Sequence, residues 1–350
     1  MASHRRSAQS GLTQTVRVTV MSAAVATAAA TLTTPADARP GGDSRAPGTV
    51  KAQVDRLYEE AEQATEKYNA ADERADGLRK KVERATDRVA RGQERVNRMR
   101  RSLGMIATAQ YRTGAVDPAI QLLLSSDPDG YLEKAAVLDR VTGRQAGELK
   151  ALLEAQRGLR QERAEAVRVL AQLEESRKAV ERHKREVESK LATARKLLNA
   201  LPQADREAYT RASRAGGDGG RAEGSLAGLP PLSAGSARGA AAAMAARSAV
   251  GSPYAWGATG PGAFDCSGLM QWAYGRAGVG LPRTSQAQRG AGRQVSLSEA
   301  QPGDLVIYRS DASHVGMYVG NGQVVHAPYP GARVRYDPAN MMPISSVTRP

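Results

Sequence analysis

Apolar residues recur at alternating gaps of three and four positions over residues 54–106, beginning at Val54 and ending at Ile106. Only Gly92 interrupts this apolar seam, and most of the positions between are charged. Such a heptad pattern is typical of a coiled-coil helix. At 1.5 Å per residue the helix would be roughly 80 Å long.

A seven-residue repeat from Leu138 to Leu201 predicts a second helix of similar length. Pro118, Pro128 and Gly130 lie between the two helices and prevent one continuous rod. We therefore predict an antiparallel coiled-coil hairpin over residues 51–202, with a small helical tip near residues 113–130. The apolar cluster at residues 120–124 either packs within this turn or binds a partner, and the pattern leaves both open.

The start of the chain has the features of an export signal. Arg5, Arg6 and Arg17 precede an uncharged run, and Ala36-Asp37-Ala38 offers a small-x-small cleavage site. We predict a signal peptide over residues 1–38, a disordered segment over 39–50, and a secreted, cell-wall-associated protein.

The chain is strongly basic. Cleavage after residue 38 would remove three Arg and one Asp, which lowers the net charge from +14 to +12. In an exported protein this charge favours anionic surface polymers or lipid headgroups. The helical flanks mix both signs of charge, so no nucleic-acid partner is predicted.

Composition changes twice along the second half of the chain. Residues 203–239 are rich in Gly, Ala, Ser and Pro and predict a flexible linker. Both Trp, the single Phe, the single Cys and two of the four His then occur between Tyr254 and His326. Residues 240–350 therefore read as a compact globular domain of about 110 residues, a common domain size.

Cys266 is the strongest candidate for chemistry. The residues after it have helical apolar spacing, so it is predicted to open a helix with Asp265 as the cap. A helix N-terminus lowers the pKa of a thiol and favours the reactive thiolate. The plainer alternative is a small buried apolar residue. A single cysteine allows no internal disulfide.

A nucleophilic thiol needs a base, and His314 and His326 are the candidates. His4 belongs to the predicted signal, and His183 lies among charged residues of the helical hairpin. The pattern around His314 and His326 predicts a β-hairpin, and a three-residue loop would put both histidines on one face. Cys266 would then attack a carbonyl, His314 would take its proton and His326 would orient His314.

The two histidines also fit two other uses. His326 as a plain structural histidine stays open. A metal site lacks a third ligand at suitable spacing, so no metal and no cofactor are predicted.

Several spaced motifs over residues 240–350 resemble the NlpC-type cell-wall cysteine peptidases. They are Tyr254-Ala255-Trp256-Gly257, Asp265-Cys266-Ser267-Gly268-Leu269, Leu281-Pro282-Arg283-Thr284-Ser285, Gln301-Pro302-Gly303-Asp304-Leu305-Val306, His314-Val315-Gly316 and His326-Ala327. The resemblance implies an α+β fold: a compact papain-like C-terminal domain preceded by the long antiparallel α-helical coiled-coil hairpin. It also implies cleavage of peptidoglycan stem peptides between γ-D-glutamate and the following diamino acid.

The resemblance also assigns roles by position. Cys266 matches the nucleophile, His314 the base and His326 the polar third member. Tyr254 matches a tyrosine that helps to hold the oxyanion. Asp265 and Ser267 match positions that line the substrate groove, and Asp304 is expected to fix a turn.

The front half resembles the coiled-coil arm of Gram-positive relatives that engages a membrane division or elongation complex including FtsX. Residues 120–124 would be the docking part, and the full chain would be less active than the C-terminal domain alone. Two alternatives stay open. The protein is a non-catalytic scaffold between the wall and a membrane complex, or the same fold acts as an amidase or acyltransferase.

Overall fold

The computed structural model describes residues 47–112, 118–124, 130–215 and 236–350. The predicted signal peptide lies outside the described residues, as does the segment from 39 to 46. Residues 47–50, predicted as disordered, are helical instead, because Val50 packs against the end of the second long helix near Leu201.

Two long helices make up the N-terminal half, α1 over Pro47–Arg112 and α3 over Tyr131–Asn199. They run antiparallel, since Val54 near the start of α1 packs with Ala194 near the end of α3. At the other end, Val96 packs with Leu152. A short helix, α2 (Pro118–Leu123), lies between them in the region predicted as the tip. The apolar seam of the sequence thus becomes the contact between the helices.

Helix α4 covers Gln203–Ala215 and corrects the predicted linker. Tyr209 explains it, because this residue packs on the cluster of Val50 and Leu201 and its hydroxyl donates to Asp55 Oδ1 at 3.1 Å. The contacts of this one aromatic residue outweigh the effect of the many small residues that follow it. The flexible-linker prediction is wrong for residues 203–215, and residues 216–235 lie outside the described part.

The C-terminal half is a six-stranded antiparallel sheet covered on one face by helices. The strands are β1 (Arg293–Val295), β2 (Leu305–Tyr308), β3 (His314–Gly320), β4 (Gln323–His326), β5 (Arg335–Pro338) and β6 (Ile344–Arg349). Their order in the sheet is β1-β6-β2-β3-β4-β5. The central strands β2 and β3 are almost wholly buried, which places the core behind the predicted histidines.

Three helices complete this α+β unit: α5 (Ala237–Ser248), α6 (Cys266–Arg276) and the single-turn α7 (Ser285–Gln288). Helix α5 contributes Ala242 to the main core, α6 contributes Leu269 and β3 contributes Met317. A cysteine-bearing helix packed on an antiparallel sheet with histidines on adjacent strands is the papain-like arrangement that the sequence resemblance implied.

The β3–β4 hairpin differs in detail from the prediction. Its connection is two residues long, and both Asn321 and Gly322 have positive φ, as this tight turn requires. A register irregularity between Tyr318 and Gly320 then shifts the pairing, so that Met317 faces Val325. The predicted three-residue loop is wrong. The irregularity has the same consequence, since His326 comes opposite Gly316 and diagonal to His314.

No described helix is both long and apolar enough to cross a membrane.

Candidate active site

Cys266 is the first residue of α6, as the sequence predicted, and Asp265 is its cap. One carboxylate oxygen of Asp265 accepts from the Gly268 N–H at 2.7 Å. Gly268 is required there, because a Cβ would lie 2.2 Å from the Ala258 carbonyl oxygen. The cysteine side chain is thereby fixed at the helix N-terminus and is buried. Helix α1 lies against it through Glu66, and we call this arrangement the closed chain.

The two predicted histidines are in contact. His314 Nε2 lies 2.8 Å from His326 Nδ1, and the two rings meet edge to face. His326 Nε2 lies 2.8 Å from Asp337 Oδ2 on β5, and this oxygen also accepts from Arg335 Nε at 2.8 Å. A continuous hydrogen-bonded chain therefore runs from His314 through His326 to a carboxylate.

The direction of these hydrogen bonds follows from Asp337. Its carboxylate accepts, so His326 donates from Nε2 and accepts at Nδ1 from the Nε2–H of His314. Nδ1 of His314 is then the nitrogen left for proton transfer. Burial lowers the pKa of His326 to about 4, helped by the charge of His314 and opposed by Asp337. A neutral His326 suits an orienting role.

Glu62 of α1 occupies His314 Nδ1. Glu62 Oε1 lies 3.0 Å from this nitrogen, and Oε2 accepts from Arg309 Nη1 at 2.8 Å. Burial raises the pKa of Glu62, but the charges and hydrogen bonds of His314 and Arg309 outweigh it and hold that pKa below its usual value. Glu62 therefore occupies the nitrogen that would accept the thiol proton.

Glu66, one helical turn further along α1, occupies the thiol side. Glu66 Oε1 accepts from Ser267 Oγ at 2.7 Å and lies 3.7 Å from Cys266 Sγ, while Oε2 accepts from the Ser285 N–H at 2.8 Å. Burial raises the pKa of Glu66 to about 7, with a further contribution from the charge of Asp265. Glu62 thus contacts the proposed base, and Glu66 lies next to the thiol.

The thiol is therefore not activated in the closed chain, which corrects the expectation of a lowered pKa. Burial raises the pKa of Cys266 well above its ordinary value, and the charges of Glu66, Glu62 and Asp265 raise it further. Helix α1 brings two of these carboxylates and excludes water. Their combined effect exceeds that of the α6 N-terminus.

Aromatic contacts hold α1 on both sides of this region. Tyr68 packs edge-on against Trp256 with ring centroids 5.1 Å apart, and Tyr58 stacks on Tyr329 at 5.1 Å. Trp256 also packs against the Ala61 cluster of the long helices. Helix α1 thus has one face on α3 and a second face on the C-terminal domain. The surface that this second face covers, around Cys266 and His314, is called the groove below.

The other predicted site residues fall into two groups. Tyr254 is buried near the thiol, and its pKa is raised well above normal by burial and by the charge of Cys266. Asp265 and Ser267 are fully buried below α1. Asp265 forms an ion pair with Arg283, and Ser267 Oγ accepts from Arg283 Nη1 at 3.0 Å.

Two histidine and carboxylate positions lie away from the site. His183 is on α3, 3.4 Å from Glu186. Asp304 accepts from the Gln301 N–H at 2.7 Å, which fixes the turn before β2. The described residues contain no group of three or more His, Cys, Asp or Glu arranged to hold a metal ion.

Sequence reasoning missed Asp337 and the carboxylates of α1. Asp337 is brought to His326 by pairing of β4 with β5, and nothing in the local pattern marks it. Glu62, Glu66 and Asn69 lie outside the apolar seam, so the heptad pattern predicts solvent-exposed positions for them. Their spacing puts them on one helix face next to Tyr58, and this tyrosine outside the seam is the available signal of a second contact surface.

Comparison with known proteins identifies the C-terminal half. Residues 251–348 match the NlpC/P60 family. These residues form an NlpC/P60 domain. A probable endopeptidase of Corynebacterium glutamicum is 50% identical over 105 residues, which are 30% of this chain and 50% of the relative. A probable endopeptidase of Mycobacterium tuberculosis is 49% identical over 118 residues, 33% of this chain and 30% of the relative. The chain thus spans half or less of these relatives.

Two solved structures were also found to be similar to about a third of this chain. The peptidoglycan hydrolase RipB of Mycobacterium tuberculosis is 35% identical, with 32% of this chain and 64% of that chain covered and a TM-score of 0.30. The P60 domain of an antigen from Mycobacterium avium subspecies paratuberculosis is 34% identical. It is covered over 93% of its length and 32% of this chain, with a TM-score of 0.30.

Proposed function

We propose that this protein is an exported, cell-wall-associated peptidoglycan endopeptidase that cleaves the bond between γ-D-glutamate and the diamino acid of the stem peptide. The observation that carries the proposal is the hydrogen-bonded chain His314–His326–Asp337 together with Cys266 at the start of α6. Adjacent turns of α1 contact both, through Glu62 at His314 and Glu66 at Cys266. Membership of residues 251–348 in the NlpC/P60 family supports the same chemistry.

The mechanism begins when α1 leaves the groove and His314 Nδ1 becomes free. Nδ1 takes the thiol proton, and the Cys266 sulfur attacks the scissile carbonyl carbon. The Cys266 N–H and the Tyr254 hydroxyl stabilise the negative oxygen that develops. His314 then gives its proton to the leaving amine and a thioester forms. A water that loses its proton to His314 hydrolyses the thioester and restores the thiol.

Latency is part of the proposed function. In the closed chain, Glu62 occupies the proton-transfer nitrogen of His314, and Glu66 lies against Cys266 and Ser267. Substrate has no access to the buried thiol, so hydrolysis requires displacement of α1. Glu62 and Glu66 are therefore the two side chains through which α1 would restrain the full chain.

The test uses the full chain and an opened variant, defined as Glu62→Lys together with Glu66→Lys. Each lysine would face an arginine of the groove, Arg309 or Arg283, and repel α1. We expect the opened variant to release fragments from purified sacculi whose masses correspond to cleavage after γ-D-glutamate. Cys266→Ala in the same background should release none. A folded opened variant that leaves sacculi intact would contradict the proposal.

Product masses also decide the alternatives on this fold. An amidase would release the whole stem peptide from the glycan, and an acyltransferase would give a product enlarged by its acceptor. Either product would replace the endopeptidase assignment while keeping Cys266 as the nucleophile.

A non-catalytic scaffold is favoured by one observation, the sealed and protonated thiol. In that case α1 stays on the groove and the hairpin serves only to bind.

Exposed Leu123 and Leu124 near the tip support docking to an FtsX-like membrane partner under either function. Loss of co-purification with such a membrane complex in Leu123→Ser/Leu124→Ser is the expected result. Unchanged co-purification would remove the tip from that role.

A further inference from the structure

Arg309 is held in an unusual backbone conformation beside the candidate active site. It follows β2 with φ of 63°, a region that residues other than glycine rarely adopt. Its N–H donates to the Pro343 carbonyl oxygen at 2.8 Å, and its carbonyl oxygen accepts from the Ala312 N–H at 3.1 Å. Both hydrogen bonds fix the backbone from which the guanidinium reaches the groove. Such outliers cluster at ligand-binding positions.

Within the described part of the chain, the carboxylate partners of Arg309 come from α1. Among the described residues it forms ion pairs with Glu62 and Glu59, while its hydrogen bond within the C-terminal domain goes to the neutral Ser313 Oγ at 3.2 Å. Other arginines of that domain are paired inside it, Arg283 with Asp265 and Arg349 with Asp304. When α1 leaves the groove, the Arg309 guanidinium loses both carboxylate partners.

The position of Arg309 relative to the base defines which part of a substrate it would meet. One carboxylate, that of Glu62, bridges His314 Nδ1 and Arg309 Nη1 with an oxygen on each. His314 Nδ1 is the atom that protonates the leaving amine in the proposed reaction. A single carboxylate group is thus wide enough to span the gap between Arg309 and the nitrogen that meets the leaving amine, so Arg309 lies on the leaving side of the scissile bond.

We propose that Arg309 is a specificity-determining residue that binds a free carboxylate on the leaving diamino acid. This inference rests on the proposed function. Diaminopimelate carries a second carboxylate at the end of its side chain and lysine does not, so the site would prefer stem peptides with diaminopimelate. In the closed chain the Glu62 carboxylate holds the place of that group. An arginine pairs with a carboxylate through charge-assisted hydrogen bonds, the geometry found here with Glu62.

A binding experiment tests the proposal without hydrolysis. The probes are three peptides of the form L-Ala-γ-D-Glu-Xaa-D-Ala-amide, in which Xaa is diaminopimelate, its side-chain carboxamide or lysine. Titration calorimetry uses the opened variant with Cys266→Ala. We expect diaminopimelate to bind about tenfold more tightly than the carboxamide or lysine peptide. Arg309→Gln should remove that preference, and Arg309→Lys should restore part of it.

A matched control and a kinetic arm separate this inference from the proposed function. Arg293→Gln, an exposed arginine on β1, should leave the preference unchanged. With an active opened variant, Arg309→Gln should raise KM about tenfold for diaminopimelate peptide and leave kcat within about threefold. Equal affinity of the opened chain for all three peptides, or a preference that survives Arg309→Gln, would overturn the inference. Absence of cleavage despite selective binding would overturn the proposed reaction and leave Arg309 supported as a carboxylate site.

Discussion

Glu62 Oε1 lies 3.0 Å from His314 Nδ1, the one ring nitrogen of His314 that its contact with His326 leaves available. These two residues are far apart in sequence and come from α1 and β3. Their contact blocks the base by occupying the nitrogen that would take the thiol proton. Restraint of the site thus follows from a direct contact between α1 and the proposed base.

The first prediction concerns the reactivity of Cys266, the only thiol of the chain. Replacing Glu62 and Glu66 by alanine removes the hydrogen bonds of α1 to His314, Ser267 and Ser285. It also removes two charges that raise the thiol pKa. We expect alkylation at about pH 7 to become at least tenfold faster, since a pKa decrease of one unit gives about tenfold more thiolate. Mass spectrometry of the alkylated chain gives the rate.

Glu73→Ala is the matched control for that experiment, because Glu73 is an exposed glutamate of the same helix. It should alkylate at the rate of the unaltered chain. If the double alanine variant stays folded by circular dichroism and its thiol reacts no faster, Glu62 and Glu66 do not restrain the site.

The second prediction is a pH dependence of opening. Burial and Asp265 raise the pKa of Glu66 from 4.5 to about 7 in the closed chain, and exposure on opening would return it towards 4.5. The closed form therefore binds this proton more tightly, and its advantage is lost as pH rises through the raised value. We expect the opening equilibrium to increase about tenfold between about pH 6 and about pH 8. The opening equilibrium is measured by the alkylation rate of Cys266 in the unaltered chain divided by its rate in the opened variant.

Glu66→Gln is the control for the pH effect. The glutamine oxygen can accept from the Ser285 N–H while its NH2 donates to Ser267 Oγ, and the side chain does not ionise, so the ratio should become flat over this range. The lowered pKa of Glu62 acts in the opposite sense, because its contribution to closing is present above its ordinary pKa and disappears on acidification. A ratio in Glu66→Gln with the same rise as the parent chain would assign the effect to another group.

The third prediction concerns Asp337, which fixes the tautomer of His326. In Asp337→Asn the amide oxygen still accepts from Arg335 Nε and His326 Nε2, but the negative charge of the carboxylate is lost. The imidazolium that forms when His314 takes the thiol proton then lacks that stabilising charge. In the opened variant kcat should fall at least about a hundredfold with little change in KM, as for comparable carboxylate–histidine pairs. A small loss would show that His326 is held by packing alone.

Asp311→Asn is the companion substitution, because Asp311 is exposed and accepts from the Ser313 N–H near the same strands. Its kcat in the opened variant should equal that of the parent. A loss comparable to that of Asp337→Asn would indicate a general disturbance of this end of the sheet.

The fourth prediction provides a spectroscopic measure of opening. Trp256 packs edge-on against Tyr68 of α1, and Trp272 is the other tryptophan of the chain. In a Trp272→Phe background, Lys substitutions at Glu62 and Glu66 should shift Trp256 emission to longer wavelength, because the ring loses its contact with α1 and meets water. An unshifted spectrum would mean that α1 stays on the domain.

The sequence was sufficient for the elements whose signals are local. Heptad spacing identified α1 and α3, since apolar side chains on one helix face need a partner surface. The surroundings of Cys266 identified a capped helix start. His314 and His326 were paired correctly although the loop length was wrong, because the irregularity after Tyr318 compensates for the shorter turn.

The remainder depends on contacts between distant segments. Glu62 and Glu66 look like ordinary solvated flanks until the C-terminal domain covers a second face of α1. Asp337 is placed by strand pairing, and α4 is held by one tyrosine. None of these contacts has a periodic signature, so no pattern within a short window reveals them.

The most direct test compares hydrolysis by three full-length chains on purified sacculi: unaltered, opened, and opened with Cys266→Ala. The account predicts little release of peptide fragments by the unaltered chain, at least about tenfold faster release by the opened variant, and none without the thiol. Equal release by the unaltered and opened chains, or release that persists after Cys266→Ala, would contradict a thiol peptidase restrained by α1.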